Sequence, residues 1–183
     1  MTKILTDLPQ TALWADLVHE AEQGAATRLD EELESYLVFV LMAHTRDVQL
    51  HGQVFAVDYL LARSQSGTRQ RQGLREVGDR CLLLAGLYPE QAERRRVSVG
   101  YFLDLGSRAY DELSCALRAG VADLYGHLAQ AFARLVRVLM ELRRRTRDVA
   151  PLLLHELSTN GTASNCDPQF PGAVLLAGAT TRQ

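Results

Sequence analysis

The chain has 183 residues with 47% hydrophobic and 23% charged side chains and a formal net charge of −2, which is the balance of a globular protein and not of a disordered one. A domain of this length hides about 70% of its unfolded surface, so one sizeable core is expected. The mild acidity argues against a phosphate-backbone binder, and the longest apolar run, YLVFVLMA at 36–43, falls far short of the roughly 20 residues that span a bilayer.

Sustained apolar-polar alternation is absent and helical spacing recurs throughout, so the fold class is all-α. A single-domain bundle of about seven or eight helices is predicted over 1–158, with an irregular tail over 159–183. Pro9 opens the first helix, whose Leu13, Trp14, Leu17, Val18 and Ala21 share one stripe up to Gly24. Thr27 with Asp30 reads as a capping-box-like start for the second, and the acids at 30, 31, 32 and 34 suit the positive end of its dipole. From Tyr36 to Ala43 this helix is apolar on every side, which predicts a central helix running through the core.

A shorter helix near 53–64 is predicted to turn Val54, Val57 and Leu61 inward, and SQSGTRQRQG at 64–73 marks a turn. The next helix, about 68–87, carries Leu74, Val77, Gly78, Cys81, Leu84 and Ala85 on its apolar face. Pro89, early Glu90 and Glu93, and terminal Arg94, Arg95 and Arg96 describe a short helix charged to complement its own dipole, with Glu90 and Arg94 an i, i+4 pair. Ser98 is then the N-cap of a helix with Val99, Phe102, Leu103, Gly106, Tyr110, Leu113 and Leu117 inward, and Gly106 admits a close neighbour. The longest helix runs from Val121 to Arg147, with Val121, Leu124, Tyr125, Leu128, Phe132, Leu135, Leu139 and Leu142 inward. A break at 148–151 precedes a short helix over 152–157, and within the tail the apolar GAVLLAG at 172–178 is expected to dock on the body or on a partner.

Chemistry-bearing patterns are few. None of the eleven glutamates has a histidine three residues later, which removes the di-iron bundle signature. His-x-x-x-His, the Gly-x-Ser-x-Gly elbow and Gly-rich phosphate loops are also missing. Cys81, Cys115 and Cys166 lack C-x-x-C spacing, which favours neither a disulfide framework nor a zinc site. The start MTKILTDLPQT has no apolar signal core, and the expected location is cytoplasmic. His127 reads as a solvated partner of Asp123, and His44, in register with Leu37, Val40 and Leu41, reads as a core histidine ahead of a haem-type ligand.

Charge is unevenly spread. Residues 1–62 hold three basic against ten acidic groups, whereas residues 63–147 hold sixteen arginines against nine acids. An acidic first half packed beside a basic second half accounts for this without nucleic acid, and the arginines at 134, 137, 143, 144, 145 and 147 read as a solvated helix end. Asp79, mid-helix among leucines, is drawn into the interior and needs a partner. The expectation is an ion pair with one of Arg94, Arg95 or Arg96, pinning the helical corner.

The segment VGDRCLLLAGLYPEQAERRRVSVGYFLDLGSRAY at 77–110 strings together Gly78-Asp79, Gly86 with Pro89, Arg95-Arg96, Val97-Ser98-Val99, Tyr101-Phe102 and Gly106 with Ala109-Tyr110. In that order it resembles a family of uncharacterised bacterial proteins, over about a fifth of the chain; Gly100 departs from the larger polar residue of that pattern. The family has no assigned activity, so the resemblance implies similar architecture and a shared site but no reaction.

Together these readings predict a non-catalytic interaction or assembly protein, homodimeric through an apolar helix face or through 172–178, with no catalytic or metal residue and no cofactor assigned. The alternative is a small-molecule-binding protein with an anion-accepting pocket near residues 86–110, its anion received by Arg94, Arg95, Arg96, Ser98 and Tyr101.

Overall fold

In a computed structural model the recurring three- and four-residue apolar spacing becomes six helices among the described residues, 10–44, 55–90 and 96–147. They are α1 (Gln10–Gly24), α2 (Glu31–His44), α3 (Phe55–Ser64), α4 (Gly67–Leu87), α5 (Val99–Cys115) and α6 (Val121–Arg147), and no strand occurs among these residues. The chain divides into two compact units, 1–148 and 149–183, and every described residue belongs to the first. Most of the helix expected at 89–96, the helix at 152–157 and the whole tail, GAVLLAG included, lie outside the described residues.

Local chemistry sets the helix ends. Asp30, not Thr27, caps α2: the Leu33 N–H donates to Asp30 Oδ1 at 3.0 Å, while the Thr27 hydroxyl donates to the Ala25 carbonyl at 3.1 Å. Buried Glu22 accepts from the Leu29 N–H at 2.7 Å, tying the α1 end to the α2 start. Ser98 caps α5 as expected, its hydroxyl accepting from the Tyr101 N–H at 3.2 Å.

The central element is α4, which corrects the central apolar helix expected at 36–43. In α4 Leu74, Val77, Gly78, Asp79 and the unbroken run Cys81–Gly86 are all buried, because α3, α5 and α6 cover it. By contrast α2 rests on α1 and α6 and leaves Phe39 49% exposed. An all-round apolar sequence becomes an all-round buried helix only where every side finds a neighbour.

The phase of α3 is also corrected. Val57 and Leu61, expected inward, are 49% and 55% exposed, and Val54 lies outside the described residues. Phe55, Tyr59 and Ala62 are inward instead. The larger aromatics win this rotation: the Phe55 ring meets Phe102 edge-on at 5.5 Å, and the Tyr59 hydroxyl donates to Glu112 Oε1 at 2.6 Å. Arg63 then reaches the other oxygen of Glu112 at 3.0 Å. Aromatic area plus a charge-assisted hydrogen bond outweigh two aliphatic side chains.

Close helix approach depends on glycine notches. A Cβ on Gly106 would run into the Phe132 ring and lie 2.9 Å from Cys81 Cβ, so α4, α5 and α6 meet where side-chain bulk is missing. Gly126 has nothing within 4 Å of such a Cβ. Gly106→Ala is therefore expected to destabilise by about 1–3 kcal/mol through overpacking, whereas Gly126→Ala stabilises by about 0.5–1 kcal/mol through helix propensity. Urea denaturation of the two variants measures both signs.

Candidate functional site

Asp79 is buried in α4, and the carboxylate would be costly there without partners. One oxygen, Oδ1, accepts from two phenols: Tyr36 of α2 at 2.6 Å and Tyr110 of α5 at 2.7 Å. The other, Oδ2, lies 3.5 Å from Arg75 Nε, one helical turn earlier. Asp79 is thus buried, as expected, with Arg75 beside it; of the arginines expected as its partner, Arg94 and Arg95 lie outside the described residues and Arg96 is exposed, in the left-handed region at φ 55°.

Three tyrosine rings close over this carboxylate. Tyr36 meets Tyr110 at 6.0 Å and Tyr125 at 5.7 Å, both near-perpendicular, the offset that aromatic quadrupoles favour. Gly78 makes room for them, since a Cβ at that position would collide with the Tyr110 ring. Burial, and then the Asp79 charge, push the Tyr36 and Tyr110 hydroxyls well above the ordinary tyrosine value. Both remain neutral donors at any physiological pH.

Beside this cluster a cleft of about 610 Å³ opens along one face of α4. Thr68, Arg71, Gln72, Arg75, Glu76, Asp79 and Arg80 form a polar wall, successive members of a single helical stripe; across from them stand Leu113, Leu117, Val121 and Tyr125, with Ala43 at the rim. Within the polar wall, Arg80 pairs with Glu76 at 3.9 Å and Gln72 donates to Glu76 at 3.3 Å. Arg71 donates to the neutral Thr68 hydroxyl at 3.2 Å. Arg75 is held between Asp79 and the Phe39 ring, its guanidinium 5.3 Å from the ring centroid, a cation–π arrangement. A second cleft, of about 430 Å³, is lined by Glu31, Glu32, Ser35, Tyr36 and Leu124.

The other sequence-predicted residues behave differently. Arg96, Ser98 and Tyr101 line neither cleft; the Ser98 hydroxyl is engaged in capping, and the Tyr101 ring packs edge-on against Phe102 at 5.3 Å. Glu90 pairs with Arg143 of α6. His127 lies 3.8 Å from Glu32, and the side chain of His44 is outside the described residues. Burial pushes the Cys81 thiol up to about 12, leaving it a small core hydrophobe at neutral pH. Among the described residues no group of three or more His, Cys, Asp or Glu side chains could hold a metal ion. Sequence reading missed Arg71 and Arg75 as cleft residues, although the spacing from Thr68 through Asp79 already sets them on one face.

The raised tyrosines predict alkaline behaviour. A hydroxyl whose folded value lies above its unfolded value near 10 contributes stability that is complete below about pH 10 and is lost as pH rises beyond it. The midpoint of thermal unfolding should therefore fall steeply above pH 10, and Tyr110→Phe, less stable at pH 8, should show a shallower fall. Melts of both proteins between pH 8 and 11 check this.

No protein-family model, curated protein or solved structure matches this chain, so the functional reading comes from the chemistry of the cleft.

Proposed function

We propose that the protein is a non-catalytic binding protein for a small anionic molecule, taken up in the cleft along α4. The observation that supports this is the convergence of Arg71, Arg75 and Arg80 on one cleft of about 610 Å³, with Arg75 held by a buried carboxylate. Guanidinium groups suit carboxylate and phosphate oxygens, and a cleft of this size lies within the roughly 300–1,000 Å³ of small-molecule sites. The anion-accepting role first assigned to residues 94–101 moves in this reading to the 71–80 stripe. Cys81 and Cys115, both free thiols, fit a reducing cytoplasmic setting, and the kinship with the bacterial family carrying the 77–110 segment belongs to the same reading.

A thermal-shift screen of carboxylate and phosphate metabolites tests it. A saturating ligand at about 100 times its Kd adds about 2.7 kcal/mol, a rise of roughly 6–10 °C for a domain of this size. At least one anion should raise the melting point of the native protein while leaving Arg71→Gln unmoved; a native melt indifferent to the whole panel would reject the reading.

A second reading, assembly as a homodimer, is favoured by one observation. Val57, Leu60 and Leu61 of α3 are 49%, 59% and 55% exposed at i, i+3, i+4 spacing, a helix-to-helix seam that an identical stripe on a second copy can match isologously. Light scattering should then give a dimer mass that Leu60→Glu converts to monomer; a monomer at all concentrations would remove this reading.

A further inference from the structure

Building on the anion-site reading above, we propose that the ligand of the α4 cleft is a monoanionic carboxylate with an apolar body, its head group at Arg71 and Arg75 and its body against Leu113, Leu117, Val121 and Tyr125.

Charge within the cleft selects the head group. Arg71, Arg75 and Arg80 share the lining with Glu76 and Asp79, leaving a single positive charge in excess. Asp79 is engaged by Tyr36, Tyr110 and Arg75, and Glu76 by Gln72 and Arg80. Arg71, whose hydrogen bond goes to a neutral hydroxyl, supplies the cation that one carboxylate would neutralise. A diphosphate or a dicarboxylate would bring its further charges against Glu76 and Asp79, a like-charge approach that disfavours it. Arg75 adds a second donor in a fixed pose, held at Nε by Asp79 and across its face by Phe39, and a pre-posed guanidinium loses little freedom on binding.

The opposite wall selects the body. Leu113 and Tyr125 are buried, Leu117 is half-buried and Val121 is exposed, so the wall grades from the interior to the rim. A hydrophilic anion would leave the open part of this wall, Leu117 and Val121, wet; an alkyl or aryl chain would cover it and gain from each carbon removed from water. The two unlike walls therefore describe an amphipathic ligand lying between them.

Isothermal titration of the full chain with sodium octanoate, sodium butyrate, inorganic phosphate and octylammonium tests the assignment, alongside Arg71→Gln and Leu117→Asn proteins whose melts are checked by circular dichroism. Octanoate should bind the native protein, more tightly than butyrate by up to about fourfold per methylene, and at least tenfold more weakly to each variant. Phosphate and octylammonium should not compete. Phosphate binding as tightly as octanoate, and lost in Arg71→Gln, would overturn the carboxylate class while sparing the anion site. Octylammonium binding as well as octanoate, or octanoate binding Arg71→Gln and the native protein equally, would overturn the head-group assignment. If no anion binds the native protein, this proposal and the anion-site reading fall together.

Discussion

A carboxylate buried among helices sets how three of them meet, because its bonds are directional. Asp79 sits in the interior of α4 and is compensated from three elements, by Tyr36 of α2, Tyr110 of α5 and Arg75 of its own helix. Hydrogen bonds to a charged group contribute about 1.5–3 kcal/mol each, and losing one partner leaves the remaining charge exposed to its desolvation cost. The geometry of α2 and α5 around α4 is thereby specified by directional bonds, where greasy surfaces alone would tolerate sliding and rotation. The same bonds fix Arg75 at the wall of the cleft, so the feature that specifies the fold also shapes the candidate site.

Around that tie, packing follows from where bulk is absent. Gly78 admits the Tyr110 ring, Gly106 admits Phe132, and Gly86 admits Leu139, which lets α4, α5 and α6 close on one another. Charge plays a smaller part than its uneven distribution along the sequence suggests. Glu20 with Arg145, at 3.6 Å, joins the acidic first half to the basic second, but Glu112 with Arg63 and Glu141 with Arg144 and Arg145 are pairs inside the second half. Fully exposed pairs are worth about 0–1 kcal/mol, and each of these keeps at least one member open to solvent.

Much of the architecture was legible in the sequence because its signals are local. The α5 start follows from Ser98, the span of α6 from an unbroken apolar stripe, the inward face of Cys81 and the notch at Gly106 from helical spacing. Even the burial of Asp79 could be read from its leucine neighbours. What escaped depends on partners distant in the chain: Tyr36 and Tyr110 lie 43 and 31 residues from Asp79, and no spacing rule links them. The rotation of α3 was hidden because that helix is apolar on two sides, and the choice between them came from Phe102 and Glu112 on another element. The middle position of α4 was hidden for the converse reason. Its first half is polar, and that half proves to be the wall of the cleft.

The most direct measurement is a double-mutant cycle between Asp79→Ala and Tyr36→Phe, read by chemical denaturation at neutral pH. If the buried carboxylate holds α2 onto α4, Tyr36→Phe costs about 1.5–3 kcal/mol in the native background and far less beside Asp79→Ala, a coupling of at least about 1 kcal/mol. Additive effects, equal to within about 0.5 kcal/mol, would contradict the tie from which both the fold and the pose of Arg75 are derived.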